Sequence, residues 1–182
     1  MKKLSTLLCA AITMVCISLV FTSCKDDDEP ETRKPEINTV TFDGVSHLIL
    51  SAGIDKEDLD DGNYVIVLYI SEEKTKGVRL MASALHHDGK TTDLTQKEPK
   101  HDGWYWSVEF YYPELLFDTY GEAGTHYPVF QTGTFYIKRT GFGTEFEIRL
   151  KDGKVKGEGE YGDGKEHTIS INFKGMMDLG DF

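Results

Sequence analysis

Residues 144–173 read TEFEIRLKDGKVKGEGEYGDGKEHTISINF. In the first seven, Phe146, Ile148 and Leu150 alternate with Glu145, Glu147 and Arg149. In the last seven, Ile169, Ile171 and Phe173 alternate with Thr168, Ser170 and Asn172. A period of two is that of a β-strand with one face in a core and the other in water. Asp152-Gly153 and Asp163-Gly164 read as turns between strands. The intervening KVKGEGEY (154–161) is a thinner strand, with Gly157 and Gly159 on the face of Val155. It is expected at a sheet edge or where another backbone comes close.

The same period extends towards the N-terminus. INTVTF (37–42) and VSHLILSA (45–52) flank Asp43-Gly44, a strong hairpin signal. NYVIVLYIS (63–71) is apolar on both faces, as in a central strand covered on both sides. VRLMASAL (78–85) and GTFYIKR (133–139) add further strands. WYWSVEFYY (104–112) places Trp104, Trp106, Val108, Phe110 and Tyr112 on one side and Tyr105, Ser107, Glu109 and Tyr111 on the other. The expected fold is all-β, an antiparallel β-sandwich or barrel of about eight to ten strands with little helix. DKEDLDDG (55–62) and PELLFDTYG (113–121) are the candidate helical turns, the second within a long connection from 113 to 130.

The ends of the chain obey different rules. Met1-Lys2-Lys3 precedes the apolar run LSTLLCAAITMVCISLVF (4–21), the layout of a secretory signal. The run is almost long enough to span a bilayer, for which about 20 residues are needed. Thr22-Ser23-Cys24 then leads into CKDDDE (24–29). This resembles a bacterial lipoprotein signal, although Phe21 stands where that pattern prefers Leu. The resemblance implies removal of residues 1–23 and lipidation of Cys24. Lysine followed by acids directly after that cysteine resembles the surface-export stretch of Bacteroidota lipoproteins. It implies an outer-membrane protein facing the medium. CKDDDEPETRKP (24–35) has no apolar residue besides proline and the cysteine, so an acidic, disordered tether is expected over 24–36, with one domain over 37–182. The stretch from Gly133 to Gly164 is also similar to a recurring ending of small, uncharacterised β-sandwich lipoproteins of that group.

Composition excludes several function classes. The 182-residue chain has 31 acidic against 20 basic residues, a net charge of −11. Loss of the signal would remove Lys2 and Lys3 and make the chain more acidic still. Nucleic acid and anionic lipid surfaces are therefore not expected partners, because phosphate contact needs clustered Lys and Arg. Cys9 and Cys16 fall in the signal and Cys24 would be acylated. The body then has no disulfide, cysteine nucleophile or Cys-ligated zinc. No G-x-S-x-G, H-E-x-x-H or phosphate-binding glycine loop occurs. No cofactor is implied.

Three constellations remain. His86-His87-Asp88, with His101-Asp102 and His126, carries imidazole and carboxylate groups of the metal- or haem-ligating kind. Adjacent residues on a strand point apart, so the reading adopted is a solvated turn with no metal ligand. DKEDLDDGN (55–63) is acidic, but Leu59 falls on a ligating position of the EF-hand calcium loop counted back from Gly62, so that motif fails. The third is the aromatic block from Trp104 to Tyr120. Tyr105, Glu109 and Tyr111 share the face turned away from the core, and exposed rings with neighbouring carboxylates suit a pyranose. Phe117, Tyr120, Tyr127 and Phe130 follow in the connection. The expectation is a non-catalytic surface binding or accessory module, with extracellular glycan as ligand class. A structural or adhesive component is the alternative, and a hydrolase a further one, with Glu109 and Glu114 as its first candidate carboxylates.

Overall fold

The computed structural model describes residues 38–180. The signal, Cys24, the tether and Ile37 lie outside the described residues. Strand β1 (Thr39–Phe42) turns through Asp43-Gly44 into β2 (Val45–Leu48), as the hairpin signal predicts, and both turn residues have positive φ. Next come β3 (Ser51–Asp55), helix α1 (Lys56–Asp60), β4 (Asn63–Tyr69), β5 (Gly77–Ser83) and helix α2 (Ala84–His87). The chain continues through β6 (Lys90–Asp93), β7 (Ser107–Tyr111), β8 (Leu115–Tyr120), β9 (Thr132–Arg139) and β10 (Glu145–Lys156). It ends with β11 (Glu166–Met176) and β12 (Asp178–Gly180).

These strands form two six-stranded sheets packed as a sandwich. The first has the order β2-β1-β11-β10-β9-β6 and the second β12-β3-β4-β5-β7-β8. All pairings are antiparallel except β12 on β3. Side chains at alternate positions of both sheets meet in one apolar cluster, including Val40, Ile66, Leu80, Phe110, Phe117, Phe135, Phe146, Ile148 and Ile171. Strand β4 is covered on both faces, as its composition predicts. Tyr64, Ile66 and Leu68 enter the cluster, while Val65 and Val67 are buried on the opposite side.

Aromatic rings and a few polar groups tie the sheets together. Phe42 of the first sheet stacks on Phe110 of the second at 4.1 Å. Asp88 Oδ1 accepts from the Tyr64 hydroxyl of the second sheet at 3.2 Å and from the Arg139 backbone N–H of the first at 2.7 Å. His167 is buried against Phe42, with its two ring nitrogens on Asp43 (2.8 Å) and Asp163 (3.0 Å).

The sequence reading needs several corrections. The segment 45–52 is not one strand: β2 ends at Leu48 in the first sheet and β3 begins at Ser51 in the second. Residues 113–121 are not helical: Phe117 and Thr119 are buried while Asp118 and Tyr120 face out, the period of a strand, and β8 pairs with β7. Asp152-Gly153 is not a turn between strands but a bulge inside β10. Asp152 takes φ 53°, and a Cβ on Gly153 would strike the Leu150 side chain and the Ile169 carbonyl. The strand expected over 104–112 covers only 107–111. Short β6 and β12 carry too few apolar residues to announce themselves, and they help bring the strand count among the described residues to twelve.

The expectation of a close backbone approach holds at Gly157. A Cβ there, or on Gly162, would collide with the Leu116 carbonyl oxygen of β8, whereas Gly159 faces open space. Gly157→Ala or Gly162→Ala should therefore destabilise the fold by about 1–3 kcal/mol in urea denaturation. Gly143→Ala, where the added methyl has no neighbour within 4 Å, should be close to neutral.

Candidate functional site

The outer face of the second sheet is built by register. Val67, Arg79, Glu109 and Asp118 are successive partners across β4, β5, β7 and β8. Val65, Met81, Ser107 and Tyr120 form the next row. On the other side of the charged row, Tyr69, Gly77 and Tyr111 form a third. Val65 and Val67 are buried, so the side chains that line the first two rows are brought together from β5, β7 and β8, each of which turns its alternate residues into the core. Arg79, Met81, Ser107, Glu109, Asp118 and Tyr120, joined by Tyr127, line a depression of about 220 Å³.

The charged row is unbalanced. Arg79 Nη1 reaches Glu109 Oε2 only at 4.0 Å, and both side chains remain partly exposed. Asp118 is pushed up to about 6, first by burial and then by the charge of Glu109; Arg79 and a hydrogen bond from the Thr119 backbone act in the opposite direction. The row thus offers two carboxyl groups, of which that of Asp118 takes up a proton more readily than an ordinary carboxylate, and one guanidinium. Together they can both donate and accept hydrogen bonds.

Tyrosines frame this row. Tyr111 lies across Gly77: its hydroxyl would stand 3.1 Å from a Cβ there. Burial, then Tyr69 and Glu109, push its phenol up to about 12, so it stays a donor. On the far side Tyr120 meets Tyr127 edge-on at 5.6 Å, and Tyr127 meets Tyr161 at 4.2 Å. The Lys97 ammonium holds the intervening connection. It donates to the Tyr120 carbonyl (2.6 Å), the Tyr127 carbonyl (2.8 Å) and the Thr125 hydroxyl (3.0 Å).

Of the three sequence-predicted ligand residues, Glu109 is on this face and in the depression, and Tyr111 is on the face beside it. Tyr105 is not available. It precedes β7, is only 6% exposed, stacks on His101 at 4.2 Å and is hydrogen-bonded to the His101 backbone. Residues 98–103 cover what strand alternation alone would have left open. Arg79 and Asp118 were missed, the second because its segment read as a helix. Tyr120 and Tyr127 were flagged as rings but had no place. Glu114 is exposed in the turn before β8 and does not line the depression.

The solvated turn expected at 86–88 is corrected: His86 and His87 lie in helix α2, His87 is buried, and three of the histidines are gathered. His87 Nδ1 accepts from the Ser83 backbone N–H at 2.8 Å, so its Nε2 carries the proton given to Glu98 Oε1 at 2.7 Å. His101 Nε2 meets Glu98 Oε2 at 2.6 Å, and the His86 and His101 rings lie 3.9 Å apart. Burial alone would lower His101, but hydrogen bonds to Glu98 and the Asp102 carbonyl and the charges of both residues raise it. Both nitrogens of His87 and of His101, and His86 Nε2 on the Asp102 carbonyl at 3.0 Å, thus have protein partners, and the cluster pins the 98–103 segment over Tyr105. His126 is exposed near Glu158–Tyr161 instead. Asp55, in the acidic stretch, caps α1 by accepting from the Asp58 N–H at 3.1 Å. Among the described residues no group of three or more His, Cys, Asp or Glu is placed to hold a metal ion.

Family models, curated proteins and solved structures yield no match to this chain.

Asp118 should titrate near pH 6 by carboxyl ¹³C NMR. Because its folded pKa lies above its unfolded value, the folded state binds the proton more tightly. Stability then falls as pH rises from about 4 to about 6 and stays lower above that window. With solvent reaching the pocket, the loss is on the order of 1–2 kcal/mol. Asp118→Asn should remove this part of the pH dependence in urea melts. An unchanged slope would contradict the assignment.

Proposed function

We propose that this chain is a lipid-anchored envelope protein whose body is a non-catalytic binding module for extracellular glycan. Cys24 carries the anchor in this reading, and the acidic residues after it direct the protein to the outer surface. The observation that supports the ligand class is the depression over β5, β7 and β8. Tyrosine rings beside a mixed row of Arg79, Glu109 and Asp118 supply apolar contact for a sugar face and donors and acceptors for its hydroxyls. The floor belongs to a sheet whose other side is core, so the groups are held in place before any ligand arrives.

One observation favours a second reading. Glu109 and Asp118 are direct partners across two strands, which sets their Cβ atoms about 5 Å apart. A carboxylate beside a carboxyl of raised pKa is the pairing used in retaining glycoside hydrolysis. Against it stands the small volume of the depression, which at about 220 Å³ is below the usual size of a substrate cleft.

Isothermal titration of neutral oligosaccharides tests the main reading. The native chain is expected to bind. Tyr127→Ala and Glu109→Gln should weaken binding about tenfold or more with unchanged circular dichroism, and Tyr111→Ala should weaken it less. Release of reducing ends during incubation would overturn the non-catalytic reading in favour of hydrolysis. In cells, Cys24→Ser should move the protein out of the membrane fraction, and retention there would refute the anchor.

A further inference from the structure

The opposite outer face, on the first sheet, has a different chemistry. Register places Thr39, Asn172, Arg149, Tyr136 and Thr91 in one line across β1, β11, β10, β9 and β6. At about 4.8 Å between strands, that line is about 19 Å long. Two depressions of about 330 Å³ each lie along it, and Arg149 and Lys151 border both. The flanking positions are mostly short hydroxyl residues, including Thr41, Ser170 and Thr134, which leave a furrow between the longer side chains.

The sign of charge is reversed here. The chain as a whole carries −11. At the centre of this face Arg149 and Lys151 are joined by Lys138 and Lys174, which flank Glu147 from the two neighbouring strands. Glu147 is already met by Arg149 at 2.7 Å. Glu145 and Asp93 lie at the margins, at the ends of β10 and β6.

We propose that the outer face of the first sheet is a second binding surface, which takes an anionic polysaccharide laid across the strands along the line from Thr39 to Thr91. Cations at the centre meet its carboxylate or sulfate groups. The hydroxyl and amide side chains meet its hydroxyls, and the half-exposed Tyr136 ring packs against a sugar face. A protein partner fits less well. The apolar residues of the furrow, Leu150 and Ile171, are at most 3% exposed, so the face lacks the apolar centre on which protein interfaces depend. The surface is separate from the tyrosine-framed pocket and does not depend on it.

The full-length chain in detergent can be titrated with polygalacturonate, dextran sulfate and neutral dextran at about 0.15 M salt. Binding of one or both anionic polymers, and none of neutral dextran at this face, is expected. Lys151→Glu with Lys174→Glu, both at exposed positions, should weaken it about tenfold or more. Tyr136→Ala should weaken it severalfold, and Asp118→Asn should leave it unchanged. A response to polygalacturonate identifies a carboxylated ligand, and one to dextran sulfate alone a sulfated ligand. The proposal is overturned if the double reversal leaves binding intact, or if Tyr136→Ala has no effect, which marks simple ion exchange. It is also overturned if the reversal abolishes self-association instead, which would make this face a contact for a second, acidic copy. Loss of neutral-oligosaccharide binding alone would count against the tyrosine pocket and leave this surface standing.

Discussion

The stack of Phe42, Phe110 and Phe117 is the contact on which the rest of the structure depends. Phe110 and Phe117 are direct partners across β7 and β8, both fully buried, with ring centres 6.0 Å apart. Phe42 stacks on Phe110 from the other sheet. A strand has only two faces, so committing these rings to the core commits Glu109 and Asp118 to the outside, opposite one another. A slip of one residue in β8 would bury Asp118 and expose Phe117. The fold and the charged row are therefore one constraint seen from two sides.

This explains which parts of the molecule could be read from the sequence. Strands with clean alternation, such as 144–150 and 167–173, announce their inward faces, and their side chains point as expected. So does the doubly covered β4. Segments whose signal is mixed were misread. Pro113 and Glu114 looked like a helix start, yet they form the turn that lets Leu115–Tyr120 return along β7, with the Tyr112 N–H on the Glu114 carbonyl at 2.8 Å. Asp152-Gly153 carries turn chemistry, but within a long antiparallel pair the same positive φ makes a bulge. Propensity is local, and here the pairing partner decided.

The site was only half legible for the same reason. Glu109 and Tyr111 follow from alternation within one strand. Arg79 and Asp118 become their neighbours only through pairing of separate strands, which single-sequence periodicity does not encode. Tyr105 was lost to the site because a loop pinned by His87, Glu98 and His101 covers it. His86, His87 and His101 fasten the 98–103 segment in place. With no cysteine among residues 38–180, such polar clamps and the aromatic core do the work that disulfides do in many small extracellular domains.

The proposed ligand surface lies on the outer side of β5, β7 and β8. Amide chemical-shift mapping during titration with neutral oligosaccharides tests this most directly. The account predicts perturbations confined to Arg79, Met81, residues 107–111, residues 118–120 and Tyr127. Shifts centred instead on the 86–101 histidine region, or spread without focus over both sheets, would contradict it.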